Sequence, residues 1–273
     1  MIRKVPLLTS QCPFYCRENL SLSFPERAFP RQAVFHVPLP CYAMGNLKKE
    51  GVLMTRTKLR NRSLPNYSLG EELLNAISHG IGALLAIAGT VLCLIVAEDT
   101  YGAVSSCIFG LGLIGVCTIS CVYHSLRPGM AKKVLQVVDH CTIYLLIAGT
   151  YTVVVLTAIR PVYPVLGWGL FFFQWAMAAL AVTLTAIDLK KYNVFSMICY
   201  IGMGWAVIPF WRQALDVLTK PGFLLLLSGG IAYTIGSILY GIGVRRKWMH
   251  GIFHLFVLLG AALQYACVLL YVL

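Results

Sequence analysis

The chain has 273 residues, of which 59% are hydrophobic and only 12% charged, and its mean hydropathy is +0.78. That composition excludes an ordinary soluble domain and reads as a polytopic membrane protein. In a soluble chain the formal net charge of +12 would suggest nucleic acid; here its placement marks orientation in a bilayer, so no nucleic acid is implied.

Residues 1–53 have no sustained helical or strand period, hold six prolines, and contain no apolar run long enough to cross a bilayer. They also lack the continuous apolar core and cleavage site of a secretory signal. Cys12, Cys16, Cys41 and His36 occur at spacings that match no zinc motif well. A disordered tail is the expectation. Lys49-Glu50-Gly51 can be encoded by a purine run like a bacterial ribosome-binding site, so Met54 is expected to be the true start. The chain is therefore divided into a leader, residues 1–67, and a membrane domain, residues 68–273.

Ser68, with Glu71 three residues on and Glu72 beside it, reads as a capping box that opens a helix. Apolar segments follow at about 72–97, 101–125, 134–158, 164–187, 193–211, 222–244 and 248–273, each near the ~20 residues a crossing requires. The expectation is an all-α bundle of seven transmembrane helices. Trp168, Trp205, Trp211 and Trp248 fall near segment ends, as an aromatic belt would. Of the ten cysteines, Cys93, Cys107, Cys117, Cys121, Cys141, Cys199 and Cys267 lie in apolar segments, where Cys acts as a small hydrophobe. The segment after Met54 and the second, fourth and sixth loops carry twelve Lys/Arg, against three on the other side. By the positive-inside rule the N-terminus is cytoplasmic.

The remaining polar residues collect at that side. Asn75, Ser78 and His79 lie in the first turns of span one, Ser120 and His124 at the end of span two, and Asp139 and His140 near the start of span three. His250 and His254 open span seven four residues apart, a spacing that puts both on one helix face. Asp139 is the one acidic residue about a turn inside a span, where an unpaired carboxylate costs roughly 2.5–3.5 kcal/mol. Three imidazoles with a carboxylate or water make a tetrahedral zinc arrangement, so His124, His250 and His254 are chosen as ligands of Zn2+. Asp139 then either holds a zinc-bound water or takes the fourth position; the plainer alternative pairs it with Lys132 or Lys133. His124 has its own plain reading, as a cap on the second helix. His79, Ser78 and Asn75 are read as a supporting shell, Ser120 as a partner of Asp139 or of the bound water, and His140 as structural.

Ser120-x-x-x-His124, Asp139 and His250-x-x-x-His254 together resemble the progestin and adipoQ receptor superfamily. The chain is most similar to its bacterial hemolysin III branch. Further matches are Glu72-Leu-Leu-Asn75-Ala-Ile-Ser78-His79, Asp139-His140-Cys-Thr-Ile-Tyr and His254-Leu-Phe-Val-Leu-Leu-Gly260. The resemblance implies a seven-helix fold with a cytoplasmic N-terminus and a zinc ion held by three His near an Asp. Alkaline ceramidases share the Ser, Asp and three-His pattern, which points to hydrolysis of a lipid amide or ester with Asp139 and Ser120 as catalytic groups. The name hemolysin points instead to a channel-forming cytolysin, and a third expectation is a receptor or lipid-homeostasis sensor with structural zinc. The expected partner is a membrane lipid, as substrate or ligand, and no protein partner is implied. A bacterial inner membrane is the expected location.

Overall fold

The computed structural model describes residues 56–243 and 246–273, and every regular element among them is helical. The expectations for residues 1–53 and for a start at Met54 lie outside the described residues. Helix α1 (Leu69–Val96) begins as its sequence dictates. The Ser68 N–H donates to Glu71 Oε2 at 2.9 Å, and the Glu71 N–H donates back to Ser68 Oγ at 3.4 Å, a reciprocal capping box. Helix α2 (Thr100–Ser125) is opened by Asp99, whose Oδ1 accepts from the Gly102 N–H at 2.6 Å.

Helix α3 (Met130–Val153) continues through a π-helical turn, Val154–Ile159, into one more helical turn, Arg160–Val162. Helix α4 (Pro164–Ile187) starts on a proline, whose missing N–H costs nothing at that position. Helix α5 (Asn193–Gly204) gives way to turns and the short 3-10 helix Ile208–Phe210. Helix α6 (Trp211–Gly243) carries a non-helical residue, Thr219, at φ 60° and ψ 171°. Helix α7 (Met249–Tyr271) ends the chain's helical structure.

Six helical stretches among the described residues are long and apolar enough to cross a membrane. The longest, Asn193–Gly243, has 51 residues and takes in both the fifth and sixth expected spans. The segments expected at 193–211 and 222–244 leave a gap at 212–221; Pro221 in that gap lies inside α6, and the one departure from helical geometry there is at Thr219. Proline cannot donate to the helical ladder and restricts the residues before it, which accounts for a break on its N-terminal side.

The outer faces are apolar, with Leu85 68% and Val165 88% exposed, as lipid-facing surface should be. Inside, helix pairs approach closely over small residues. A Cβ on Gly82 would stand 2.7 Å from Leu258 Cδ2, and one on Gly89 would stand 2.8 Å from the Tyr265 ring, so only glycine lets α1 and α7 meet there. Phe109, Val116, Val153, Val155, Leu218 and Val268 form the apolar core between α2, α3, α6 and α7. This packing leaves a cavity of about 140 Å³ within the bundle, and it brings the starts of α1, α3 and α7 and the end of α2 together at one end.

Candidate metal centre

His124 comes from the last turn of α2, and His250 and His254 come from the first two turns of α7. All three are buried. Their Nε2 atoms converge: His254 Nε2 lies 3.0 Å from His250 Nε2 and 3.2 Å from His124 Nε2. Ligand atoms of the three all lie within 4.8 Å of one another, so the triad can hold a metal ion. Tetrahedral nitrogens at a metal–nitrogen distance of ~2.0 Å stand about 3.3 Å apart, close to the spacing found here.

The partners of the other ring nitrogens explain why His124 and His254 face inward. His124 Nδ1 lies 2.6 Å from Glu72 Oε2. A carboxylate only accepts, so the proton is assigned to Nδ1 and the Nε2 lone pair is left free. His254 Nδ1 lies 2.7 Å from His79 Nε2. With Nδ1–H of His254 as donor, His254 Nε2 is also bare, and His79 keeps its proton on Nδ1, a buried atom with no partner. Facing lone pairs at hydrogen-bond distance repel; a cation between them removes the conflict. The residues present therefore fit a metal ion.

Glu72 also accepts from Lys132 Nζ at 2.6 Å, and Lys132 donates a second bond to the Leu126 carbonyl at 2.9 Å. Lys132 is buried, so this ion pair is a built feature of the site. One sequence reading gave Lys132 to Asp139; the structure gives it to Glu72. Sequence reasoning saw Glu72 only as part of a helix start. The signal was present: Glu72, Asn75 and His79 fall at i, i+3 and i+7, on one face of α1.

Asn75 is fully buried, with Nδ2 3.4 Å from His124 Nδ1. Ser78, by contrast, donates to the Asn75 carbonyl of its own helix at 3.2 Å, and nothing brings it to the triad. A Cβ on Gly251 would meet Leu74 Cδ2 at 2.8 Å and Asn75 Oδ1 at 3.3 Å, which shows how tightly α7 is seated on this face. Glu71 fastens the two helix starts together. Beyond its capping role, its Oε1 accepts from the Trp248 N–H at 2.7 Å. Trp248 is left-handed, with φ 67°, and α7 starts directly after it.

Asp139 and Ser120 line the cavity beside His79, His250 and His254. Asp139 stands outside the triad of ligand atoms. Ser120 Oγ is buried with no hydrogen-bond partner in the protein. His140 lines the same cavity, but its ring is engaged elsewhere: Nδ1 lies 2.8 Å from the Gln136 carbonyl and Nε2 3.2 Å from the Tyr240 hydroxyl. Away from this polar end the wall is made by residues such as Ile143, Leu146, Val155, Phe223 and Leu227.

A bundle of apolar crossings that buries a histidine triad at the polar end of an apolar cavity defines an integral, multi-pass membrane protein with a candidate metal centre. Residues 67–265 match the family model described as Haemolysin-III related, and the chain belongs to that family. It is 37% identical over 207 residues to Hemolysin-3 of Bacillus cereus, an alignment that covers 74% of this chain and 92% of that one. It is 37% identical over 209 residues to the Hemolysin-3 homolog of Bacillus subtilis (strain 168), covering 75% and 96%. A more distant likeness, 28% over 206 residues, joins it to the Monocyte to macrophage differentiation factor of Homo sapiens, covering 71% and 82%.

Proposed function

We propose that this chain is a zinc-dependent hydrolase acting on an amide or ester bond of a membrane lipid. One observation carries the reading: three buried imidazoles with converging Nε2 atoms, a carboxyl group and an unpartnered hydroxyl meet at one end of an otherwise apolar cavity. Zinc held by His124, His250 and His254 would supply Lewis-acid polarisation of the scissile carbonyl. Asp139, which is free of the triad, takes the proton of the attacking water and returns it to the leaving group. Ser120 Oγ–H donates to the carbonyl oxygen as negative charge develops there. Glu72 and His79 hold the His124 and His254 rings in the orientation that exposes Nε2. The apolar walls receive the acyl chain and keep water away from it.

The same reading takes the membrane domain as seven crossings with a cytoplasmic N-terminus in a bacterial plasma membrane. At 1.5 Å per residue, an unbroken helix of 51 residues would be about 75 Å long, more than twice a ~30 Å hydrocarbon core. The turns after Gly204 and the break at Thr219 supply places where Asn193–Gly243 can return. The charge asymmetry supports the orientation, and the Bacillus relatives support the location.

A channel-forming cytolysin is favoured by the relatives' name, Hemolysin-3. A wide aqueous pore needs polar side chains through the whole bilayer, and the cavity wall beyond the histidines is largely apolar. The deciding experiment is metal analysis of the purified protein, then a lipid amide and ester hydrolysis screen with and without chelator. Chelator-sensitive turnover is expected, and Asp139→Asn should lower kcat by about 10²–10⁴-fold with little change in KM. Equal, low rates in the parent, the Asp139→Asn variant and the chelated protein would refute the hydrolase. Dye leakage from vesicles would then separate the cytolysin from a sensor with structural zinc.

A further inference from the structure

The segment that precedes α1 is tied down, although it has no regular structure apart from the 3-10 turn Leu59–Asn61. The Thr57 N–H donates to Asp188 Oδ2 at 2.8 Å, where Asp188 ends α4. The buried Arg62 guanidinium donates to the Ile187 carbonyl at 3.0 Å through Nη2 and reaches back to the Thr57 carbonyl at 3.4 Å through Nε. Lys133 Nζ, at the start of α3, donates to the Arg60 carbonyl at 2.7 Å. An arginine buried in an otherwise irregular segment marks a fixed docking point and not a loose tail.

The segment carries Tyr67 over the histidines before the Ser68 cap turns the chain into α1. The Tyr67 ring stacks on the His250 ring, with centroids 4.7 Å apart and planes 17° apart. It is tilted against His124 at 5.8 Å and 51°. Two of the three inward-facing imidazoles thus have the same aromatic ring on one side. Stacking fixes the plane of His250, and with it the direction of the Nε2 lone pair.

We propose that Tyr67 is a positioning residue for the metal centre: the strap Arg56–Ser68, latched by Arg62 and Asp188, holds its ring on His250, orients that ligand and closes the centre at the end where the helix starts meet. This rests on the metal-centre reading above. The ring does its work by stacking, so the aromatic face is required and the hydroxyl is not. Tyr67 stands 5 residues from Arg62, and because the chain between them is short Arg62 is coupled to a ligand it never touches.

The test compares the parent, Tyr67→Ala, Tyr67→Phe and Arg62→Ala, each purified in full length with zinc. Metal content is measured first, then the half-time of zinc release to excess chelator and the visible absorption of the cobalt-substituted protein. Tyr67→Ala and Arg62→Ala should release metal about 10-fold faster and shift the cobalt bands, while Tyr67→Phe should match the parent. Parent-like release in both Tyr67→Ala and Arg62→Ala, at equal metal content, overturns the proposal. If the parent holds no metal, the metal-centre reading fails, and carbethoxylation of His250, mapped by mass spectrometry, judges the strap alone. Protection of His250 in the parent that is lost in Tyr67→Ala supports the cover, and equal modification of the two proteins refutes it.

Discussion

Replacing Glu72 with Gln keeps the shape of the side chain and removes its charge, which separates two jobs that the structure gives to one carboxylate. Its Oε2 accepts from His124 Nδ1 at 2.6 Å, and its Oε1 accepts from the buried Lys132 ammonium at 2.6 Å. A hydrogen bond to a charged partner is worth about 1.5–3 kcal/mol, and the loss of such a support typically lowers metal affinity 10- to 100-fold. The two ranges agree, since each tenfold is about 1.4 kcal/mol. Gln still offers an oxygen to Nδ1–H, so the expected loss is near the tenfold end. Stability should fall as well. Removing one partner of a buried pair costs about 3–5 kcal/mol, and Glu72 is 19% exposed while Lys132 keeps its bond to the Leu126 carbonyl, which places the cost at the lower end. Glu72→Gln combined with Lys132→Met removes the stranded charge, so it should recover most of the stability and none of the metal affinity. Competition with a chelator reads the affinity, and thermal unfolding in detergent reads the stability. Parent-like affinity in Glu72→Gln, or recovery of affinity together with stability in the double variant, would show that Glu72 acts only as a structural ion pair.

Further expectations concern the triad, the topology and the strap. Purified protein should contain about one zinc per chain; His124→Ala, His250→Ala and His254→Ala should each lower occupancy sharply, and His140→Ala should not, because its ring is held by Gln136 and Tyr240. Full metal content in the His250→Ala/His254→Ala double variant would dispose of the centre. A reporter fused after Leu273 should read outside the cytoplasm and one in the Arg127–Lys133 loop inside; a cytoplasmic C-terminus would undo the orientation. Burial alone would raise the Asp188 carboxyl, but bonds from the Thr57 and Lys191 N–H groups and the charge of Arg62 outweigh it and hold the group below its ordinary value. A pKa depressed in the folded state contributes stability that is present above the unfolded value, ~3.9, and is lost as pH falls through the folded one. Unfolding midpoints should therefore decline below about pH 4 in the parent and vary less with pH in Asp188→Asn, and identical acid limbs would show that Asp188 is not engaged in solution.

Local features of the chain were legible because they depend on residues near one another in sequence. The capping box at Ser68 and Glu71 needs only a spacing of three. The helices follow from long apolar runs, and the His250 and His254 pair follows from a spacing of four. Position along each helix could also be read from sequence, and it placed His79, His124, Asp139 and His250 at one end of the bundle. The break at Thr219 falls within the gap expected at 212–221, but the sequence did not show that the rest of that gap is helical, because Pro221 and Gly222 are compatible with either a loop or a kinked helix, and packing chooses between them.

Tertiary structure decided which groups at that end face one another. Position along a helix says nothing of the helix's rotation about its own axis, and rotation is set by packing against the other helices, through contacts such as Gly82 with Leu258 and Gly251 with Leu74. It is this rotation that gives Glu72 to His124 and Lys132, turns the His140 ring to Tyr240, and leaves Ser78 bonded to its own helix. The same holds for Tyr67 on His250, residues 183 positions apart in a chain whose composition gives no sign of their contact. Helical periods are a property of one segment, whereas a candidate metal centre with its histidines on α2 and α7 and its supports on α1 depends on relative orientations that only the buried contacts between them determine.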